Sequence, residues 1–268
     1  MTHYRHPAAL WKCLESVEST LFDTAHELIV ADSEAQPGIG GQLHERFPQV
    51  DYLPFERNVG FARLVNAGLR RAVGDPVLIL NGDTVLEPHC VERLRQALDV
   101  DPSLALVGPT IVNPDGTLQH SAFRFHRPFT LLARRTKLGR TPAGMREIGR
   151  FRMDDVLTRP APGERLVPAD WVAGAAWMVR REAVEAVGPL DEGYFLYFED
   201  VDWCRRFWEA GWRVAACRDA TVTHLHGRAS RAHGGLRDVF TNRYTRVHVR
   251  SAIRYFAKFG PRVPRYGS

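Results

Sequence analysis

At 268 residues, 44% hydrophobic and 25% charged, the chain has an ordinary globular composition, long for one domain and short for two, and needs no disulfides to hold a core. Its formal charge of +5, from 36 basic and 31 acidic residues, suits an anionic ligand such as a nucleotide, or an anionic membrane surface. With no nucleic-acid-binding motif beside it, that charge does not point to nucleic acid as a partner.

Apolar runs alternate with amphipathic segments, the pattern of an α/β fold. MTHYRHPAAL lacks the apolar stretch of a signal peptide. The first strand-like run, 28–31, ends in Asp32, and a second covers 51–55. Phe61, Leu64, Val65, Gly68 and Leu69 then recur at helical spacing. The run 77–80 leads into Asn81-Gly82-Asp83, and Pro88 suits the first position of a helix striped by Val91, Leu94, Ala97 and Leu98. A strand is expected at 105–112. From 134 to 168 the chain is basic, rich in Gly and Pro and weakly periodic, which predicts a long connection with little regular structure.

Strands at 173–179 and 214–217 follow, with a short helix at 182–187 closed by Gly188. Between those strands, Val201, Cys204 and Trp208 mark a helix that starts near Glu199 and stops at Gly211. The segment 239–259 mixes Arg243, Arg246, Arg250, Arg254 and Lys258 with Phe240, Val247, Ile253 and Phe256. It reads as a surface helix docked on the core in preference to a membrane-contacting one. The longest apolar run, 172–179, is far below the ~18 residues of a membrane span. The expectation is a soluble, cytoplasmic chain able to lie against the inner face of the plasma membrane. Cys13, Cys90, Cys204 and Cys217 are scattered, as reduced thiols would be.

Acids repeatedly follow the apolar runs, and in open α/β sheets ligands gather outside the carboxyl ends of strands. Asp83 could cap a helix or form an Asx turn; it could equally begin a site for a hard cation, which needs one or two carboxylates plus phosphate oxygens. The densest signal is Tyr194-Phe195-Leu196-Tyr197-Phe198-Glu199-Asp200-Val201-Asp202-Trp203. Acids suit a first helical turn, but a carboxylate walled by aromatic residues is also partly desolvated and so a better base. His224 and His226, at i and i+2, could bind metal or be incidental. The zincin, serine hydrolase, P-loop and dinucleotide-binding signatures are absent from the sequence.

Taken in order, the motifs form a set: Asn58-Val59-Gly60-Phe61-Ala62 with Asn66; Leu80-Asn81-Gly82-Asp83-Thr84; Asn113-Pro114-Asp115-Gly116; Asp170-Trp171-Val172-Ala173-Gly174-Ala175; Val179-Arg180-Arg181-Glu182-Ala183; Val187-Gly188-Pro189-Leu190-Asp191-Glu192; and Phe195 to Asp202. Together they resemble glycosyltransferase family 2, in its rhamnosyltransferase-like branch, from about Tyr4 to Lys258. The resemblance implies a GT-A fold, a Rossmann-like, mostly parallel mixed sheet flanked by helices. It also implies an inverting displacement and a divalent metal, Mg²⁺ or Mn²⁺. Tyr4, Asp32, Arg57, Asn58, Gly60, Asn66, Asn81 and Asp83 would meet the nucleotide sugar. Asp83 would also bind metal with His224, Asp200 would be the base beside Glu199, and Trp171, Gly174 and Asp202 would face the acceptor.

The partners so implied are a dTDP-, UDP- or GDP-linked sugar and a glycan, lipid-linked or small-molecule acceptor. A catalytic domain over 1–232, halved at 115/116, and a helical extension over 233–268 are expected. Two departures stand out. Most of the apolar strand that the family places before the segment matching Tyr4-Arg5-His6-Pro7 is missing here, and Gly82 replaces a usual Pro. The missing strand raises a second reading, a catalytically silent nucleotide-sugar-binding homologue, although a binding module has no use for a base.

Overall fold

A computed structural model of the chain describes residues 1–157, 163–225, 242–264 and 266. The first half alternates strand and helix: β1 Thr2–His3, α1 Pro7–Leu21, β2 Leu28–Ser33, α2 Ile39–Arg46, β3 Val50–Phe55, α3 Phe61–Arg71, β4 Val77–Leu80, β5 Thr84–Leu86, α4 Cys90–Val100 and β6 Leu104–Val112. The second half is less regular: β7 Leu118–Gln119, β8 Ala122–Phe123, α5 Pro128–Arg135, a 3-10 turn Lys137–Arg140, α6 Pro142–Arg152, α7 Asp154–Leu157, β9 Leu166–Pro168, β10 Trp171–Val172, β11 Ala176–Val179, α8 Arg181–Val187, α9 Glu199–Glu209, β12 Arg213–His224 and α10 Arg243–Phe259.

β1, β2 and β3 pair in parallel, with Pro54 tolerated because β3 is the edge strand. Thr2 bridges Asn81 and joins them to a larger mixed sheet in the order β4–β11–β6–β12–β5. There β11 runs antiparallel to β4 and β6, whereas β12 runs parallel to β6. Side chains alternate between two cores. Ile79 and Trp177 join Val65, Ala183, Phe207 and Tyr255 under α3, α8, α9 and α10. Leu80 and Met178 join Leu14, Leu43 and Leu94 under α1, α2 and α4. The result is the expected mixed sheet with helices on both faces, but the larger sheet is mainly antiparallel, with β6–β12 its one parallel pair among the described residues.

The N-terminal amine donates to the Ile29 carbonyl at 2.8 Å, and its burial lowers its pKa to about 6. Beyond it a cavity of about 240 Å³ separates β2 from β4, lined by Leu28, Ile29, Val77 and Ile79, with Leu21 of α1 and Gly68 and Leu69 of α3.

Several expectations need correction. The stretch 134–168 is not a structureless connection: most of it forms the end of α5, the 3-10 turn, α6, α7 and β9. Pro128 and Pro142 open helices instead of breaking them, and Thr141 caps α6 by accepting from the Gly144 N–H at 3.1 Å. Gly139 and Gly144 are packing residues, since a Cβ on either would collide with the carbonyl of Ala133 or Leu138. Pro88 precedes α4, whose N-cap His89 has φ +63°. Of the strand expected at 173–179 only 176–179 forms, as β11, with Ala173-Gly174-Ala175 separating it from β10, and β12 runs far beyond 217, with a register shift between Cys217 and Thr221. All four cysteines are free and buried. His226, the 232/233 boundary and Phe240 lie outside the described residues.

Candidate active site

One cleft of about 510 Å³ opens at the carboxyl ends of β1, β2 and β4. It collects Tyr4, Asn58, Gly60, Asn81, Gly82, Asp83, Trp171, Gly174, Glu199, Asp200 and His224 from segments distant in sequence. Asp32, Arg57, Asn66 and Asp202 are not on its wall.

At one end the loop into α3 is held rigidly. Asn58 Oδ1 accepts from the Gly60 N–H at 3.0 Å and from Ser33 Oγ at 3.3 Å, while Ser33 Oγ accepts from the Val59 N–H at 3.0 Å. Gly60 has φ +85°, and a Cβ there would collide with the Phe195 carbonyl, so only glycine fits. Asp32 turns inward, where its carboxylate accepts from His3 Nδ1 and from the Tyr52 hydroxyl, both at 2.7 Å. It braces β1 against β2 and β3, leaving Ser33 to face the cleft. Asn66 clamps the 190 segment: its amide donates to the Leu190 carbonyl at 2.9 Å and its Oδ1 accepts from the Leu190 N–H at 3.0 Å. Arg57 is exposed.

The loop after β4 is fastened by its backbone. The Asn81 N–H donates to the Ala175 carbonyl at 2.9 Å and the Gly82 N–H to the Thr2 carbonyl at 2.7 Å, a bond that a proline at 82 would forfeit. The loop thus brings Asp83 Oδ1 to 3.3 Å from His224 Nε2 at the end of β12. A carboxylate oxygen and an imidazole nitrogen are suitable donors for Mn²⁺ or Mg²⁺, and the remaining positions would fall to phosphate oxygens and water. Among the described residues no group of three His, Cys, Asp or Glu converges on one point.

Glu199 and Asp200 enter the cleft on a strained turn. Tyr197 and Phe198 both have φ +68°, a conformation costing non-glycine residues about 1–3 kcal/mol each. Glu199 is buried with Oε2 unpartnered, and burial, then the neighbouring Asp200, push its pKa well up, which favours its protonated form. Asp200 is half-buried, its Oδ1 accepting from the Val201 N–H at 2.9 Å. Burial raises its pKa to about 6 against the opposing backbone hydrogen bonds. Asp202 lies on the far side of α9, accepting from Arg206 Nε at 2.7 Å, Lys258 Nζ at 2.6 Å and the Tyr194 hydroxyl at 3.2 Å.

The other end of the cleft is aromatic. Trp171 stacks on Phe123 at 4.4 Å, and His126 lies against Trp171, Phe151 and Phe198. His126 is buried with Nδ1 unpartnered, and burial, then Arg134, keep it neutral. His248 of α10 is pushed down to about 3 by burial and then by Arg135 and Arg134. Sequence reasoning missed His126, Phe151 and His248, which carry no local motif and meet only through the tertiary fold. Gly174 faces them, and a Cβ there would press on the Trp177 ring at 3.0 Å.

Comparison with known proteins adds to this geometry. Residues 1–156 match the family described as Glycosyl transferase family 2. Over 213 residues the chain is 32% identical to N-acetylglucosaminyl-diphospho-decaprenol L-rhamnosyltransferase of Mycobacterium tuberculosis (strain ATCC 25618 / H37Rv), covering 74% of this chain. The chain spans 66% of that relative's length. It is 35% identical over 89 residues to rhamnosyltransferase WbbL of Escherichia coli (strain K12), covering 33% of this chain and 31% of that one. Among solved structures, GalNAc-T7 with UDP, GalNAc and Mn²⁺ superposes with a TM-score of 0.62 at 16% identity, covering 88% of this chain and 43% of that one. Mannosyltransferase PcManGT from Pyrobaculum calidifontis, in complex with GDP-Man and Mn²⁺, gives 0.54 at 15% identity, covering 85% and 57%. These likenesses show the GT-A fold.

Proposed function

The chain belongs to glycosyltransferase family 2, and on that premise we propose that it transfers a sugar from a nucleotide diphosphate to a hydroxyl of a lipid-linked acceptor, with inversion. The observation that carries this reading is a raised-pKa carboxyl, Asp200, sharing one cleft with the Asp83–His224 pair. Rhamnosyltransferases among the relatives make an activated rhamnose the first donor to test, and the mycobacterial relative's name carries a diphospho-decaprenol acceptor.

Asp83 and His224 would hold a divalent cation, and that cation would neutralise charge on the departing diphosphate. Tyr4 and the Ser33–Asn58–Gly60 corner shape the nucleotide end. Asp200 accepts the acceptor hydroxyl's proton as the oxocarbenium-like sugar is attacked from the opposite face. Protonated Glu199 adds no second negative charge beside the base, and it can donate a hydrogen bond. Trp171 and the neutral His126 form the acceptor wall.

Transfer from a panel of dTDP-, UDP- and GDP-sugars, with Mn²⁺ and with a chelator, tests the proposal in wild type and Asp200→Asn. The expected result is metal-dependent turnover that drops about 10²–10⁴-fold in the variant, with nucleotide binding by thermal shift retained. Equal turnover in the two proteins would remove Asp200 from the mechanism. Nucleotide binding with no turnover in either would instead favour a silent binding homologue.

A further inference from the structure

Nine basic residues and one acidic residue lie between 124 and 152. Outside that stretch acids outnumber bases, 30 to 27, although the whole chain is basic. The stretch folds into an arm, α5, the 3-10 turn and α6, welded by close contacts at Gly139 and Gly144. Its single acid, Glu147, is buried and already accepts from Thr130, Arg127 and Arg150. Lys137, Arg140, Arg146 and Arg152 are exposed. Among them Phe129, Leu132, Leu138 and Met145 stand 37–56% exposed.

Large apolar side chains left in water beside cations, with no acid among them, are the composition of an interfacial membrane segment. Such side chains sink to the headgroup–acyl boundary while Lys and Arg extend to lipid phosphates. Nucleic acid would use the cations but not the apolar residues. The arm also adjoins the site, because its Arg134 and Phe151 line the aromatic end of the cleft. In contrast, α10 spends Arg254 and Lys258 on Asp191 and Asp202 within the protein.

We infer that the 124–152 arm docks on an anionic bilayer and so presents the aromatic end of the cleft to the membrane surface. As an account of how a lipid-linked acceptor arrives, this rests on the proposed transfer reaction; as a binding property it can be measured without turnover.

Co-sedimentation of the full chain with phosphatidylcholine vesicles, with and without about a quarter phosphatidylglycerol, provides the test. The chain is expected to bind the anionic vesicles, less so as salt rises above about 0.1 M. Phe129→Ser/Leu132→Ser/Met145→Ser and Lys137→Glu/Arg140→Glu/Arg146→Glu should each weaken partitioning about tenfold or more. Leu132→Ser alone serves if a triple variant folds poorly. Arg246→Glu/Arg250→Glu on α10 should change it little. Failure of the wild type to bind anionic vesicles would overturn the inference, as would loss of binding in the α10 variant alone, or an apolar triple variant that binds like wild type. Donor hydrolysis in solution, run alongside, should survive both arm variants. Its absence in the wild type would count against the transferase reading and not against the docking surface.

Discussion

Asp200 is the second of three acids at the start of α9, and the three do different work because a helix turns them to different sides. Glu199 is buried and pushed toward its neutral form; Asp202 meets Arg206 one turn on, at i+4. Asp200 alone combines cleft exposure with a pKa lifted to about 6. It must be ionised to act as a base, so kcat/KM should fall about tenfold per pH unit below about pH 6 and level off above it. The same shift affects stability with the opposite sense. A carboxyl with a raised folded-state pKa favours the fold below its unfolded pKa, about 3.9, and that contribution is lost as pH rises through about 6. Asp200→Asn should therefore stabilise the protein by roughly 1–3 kcal/mol at about pH 7.5, with the gain vanishing near pH 4, as read by denaturant titration at both pH values. The sequence showed three acids in an aromatic frame, but not which one would be open, neutralised or paired, because that depends on packing from α10 and β10.

At the scale of elements, α10 is tied to α9 by charge. Lys258 Nζ reaches Asp202 at 2.6 Å and Asp191 at 3.1 Å, and Arg254 reaches Asp191 at 2.9 Å. Asp202→Ala would remove one charged partner from Arg206, which keeps the Val187, Gly188 and Pro189 carbonyls, and from Lys258, which keeps Asp191. The expected cost is roughly 1–3 kcal/mol of stability, with turnover per folded molecule at low temperature near wild type. A specific loss of turnover with unchanged stability would instead return Asp202 to the acceptor site. Helix existence here was legible from 3.6-residue stripes, but the docked face was not: α10 buries Thr245, Ser251, Ala252 and Tyr255, while Ile253 is 65% exposed. The arm was not legible: its glycines and prolines have the composition of a loop, and their actual use, helix starts and close contacts, appears only once the segment folds back on itself.

For the whole molecule, the alternating first half could be read from its runs of β-branched and aliphatic residues. Of the second half, α8, α9 and α10 were legible as well, whereas β7, β8 and β10 were not, because each has only two residues. The cavity between β2 and β4 offers a test of the packing. Gly68 lies inside α3 and lines that cavity, with nothing within 4 Å of an added Cβ. Gly68→Ala should gain about 1 kcal/mol from helix propensity and raise Tm by about 2–4 °C in a thermal melt. The same cavity bears on mechanics. Among the described residues, strand-level pairing between the three-stranded sheet and the larger one passes through Thr2 alone, at Asn81 and the Gly82 N–H. The two plates of the molecule therefore meet at a narrow seam, not a continuous weld. Because Asn58 and Gly60 stand on one plate while Asp83 and His224 stand on the other, the stiffness of that seam bears on the gap between the proposed nucleotide corner and the proposed cation pair.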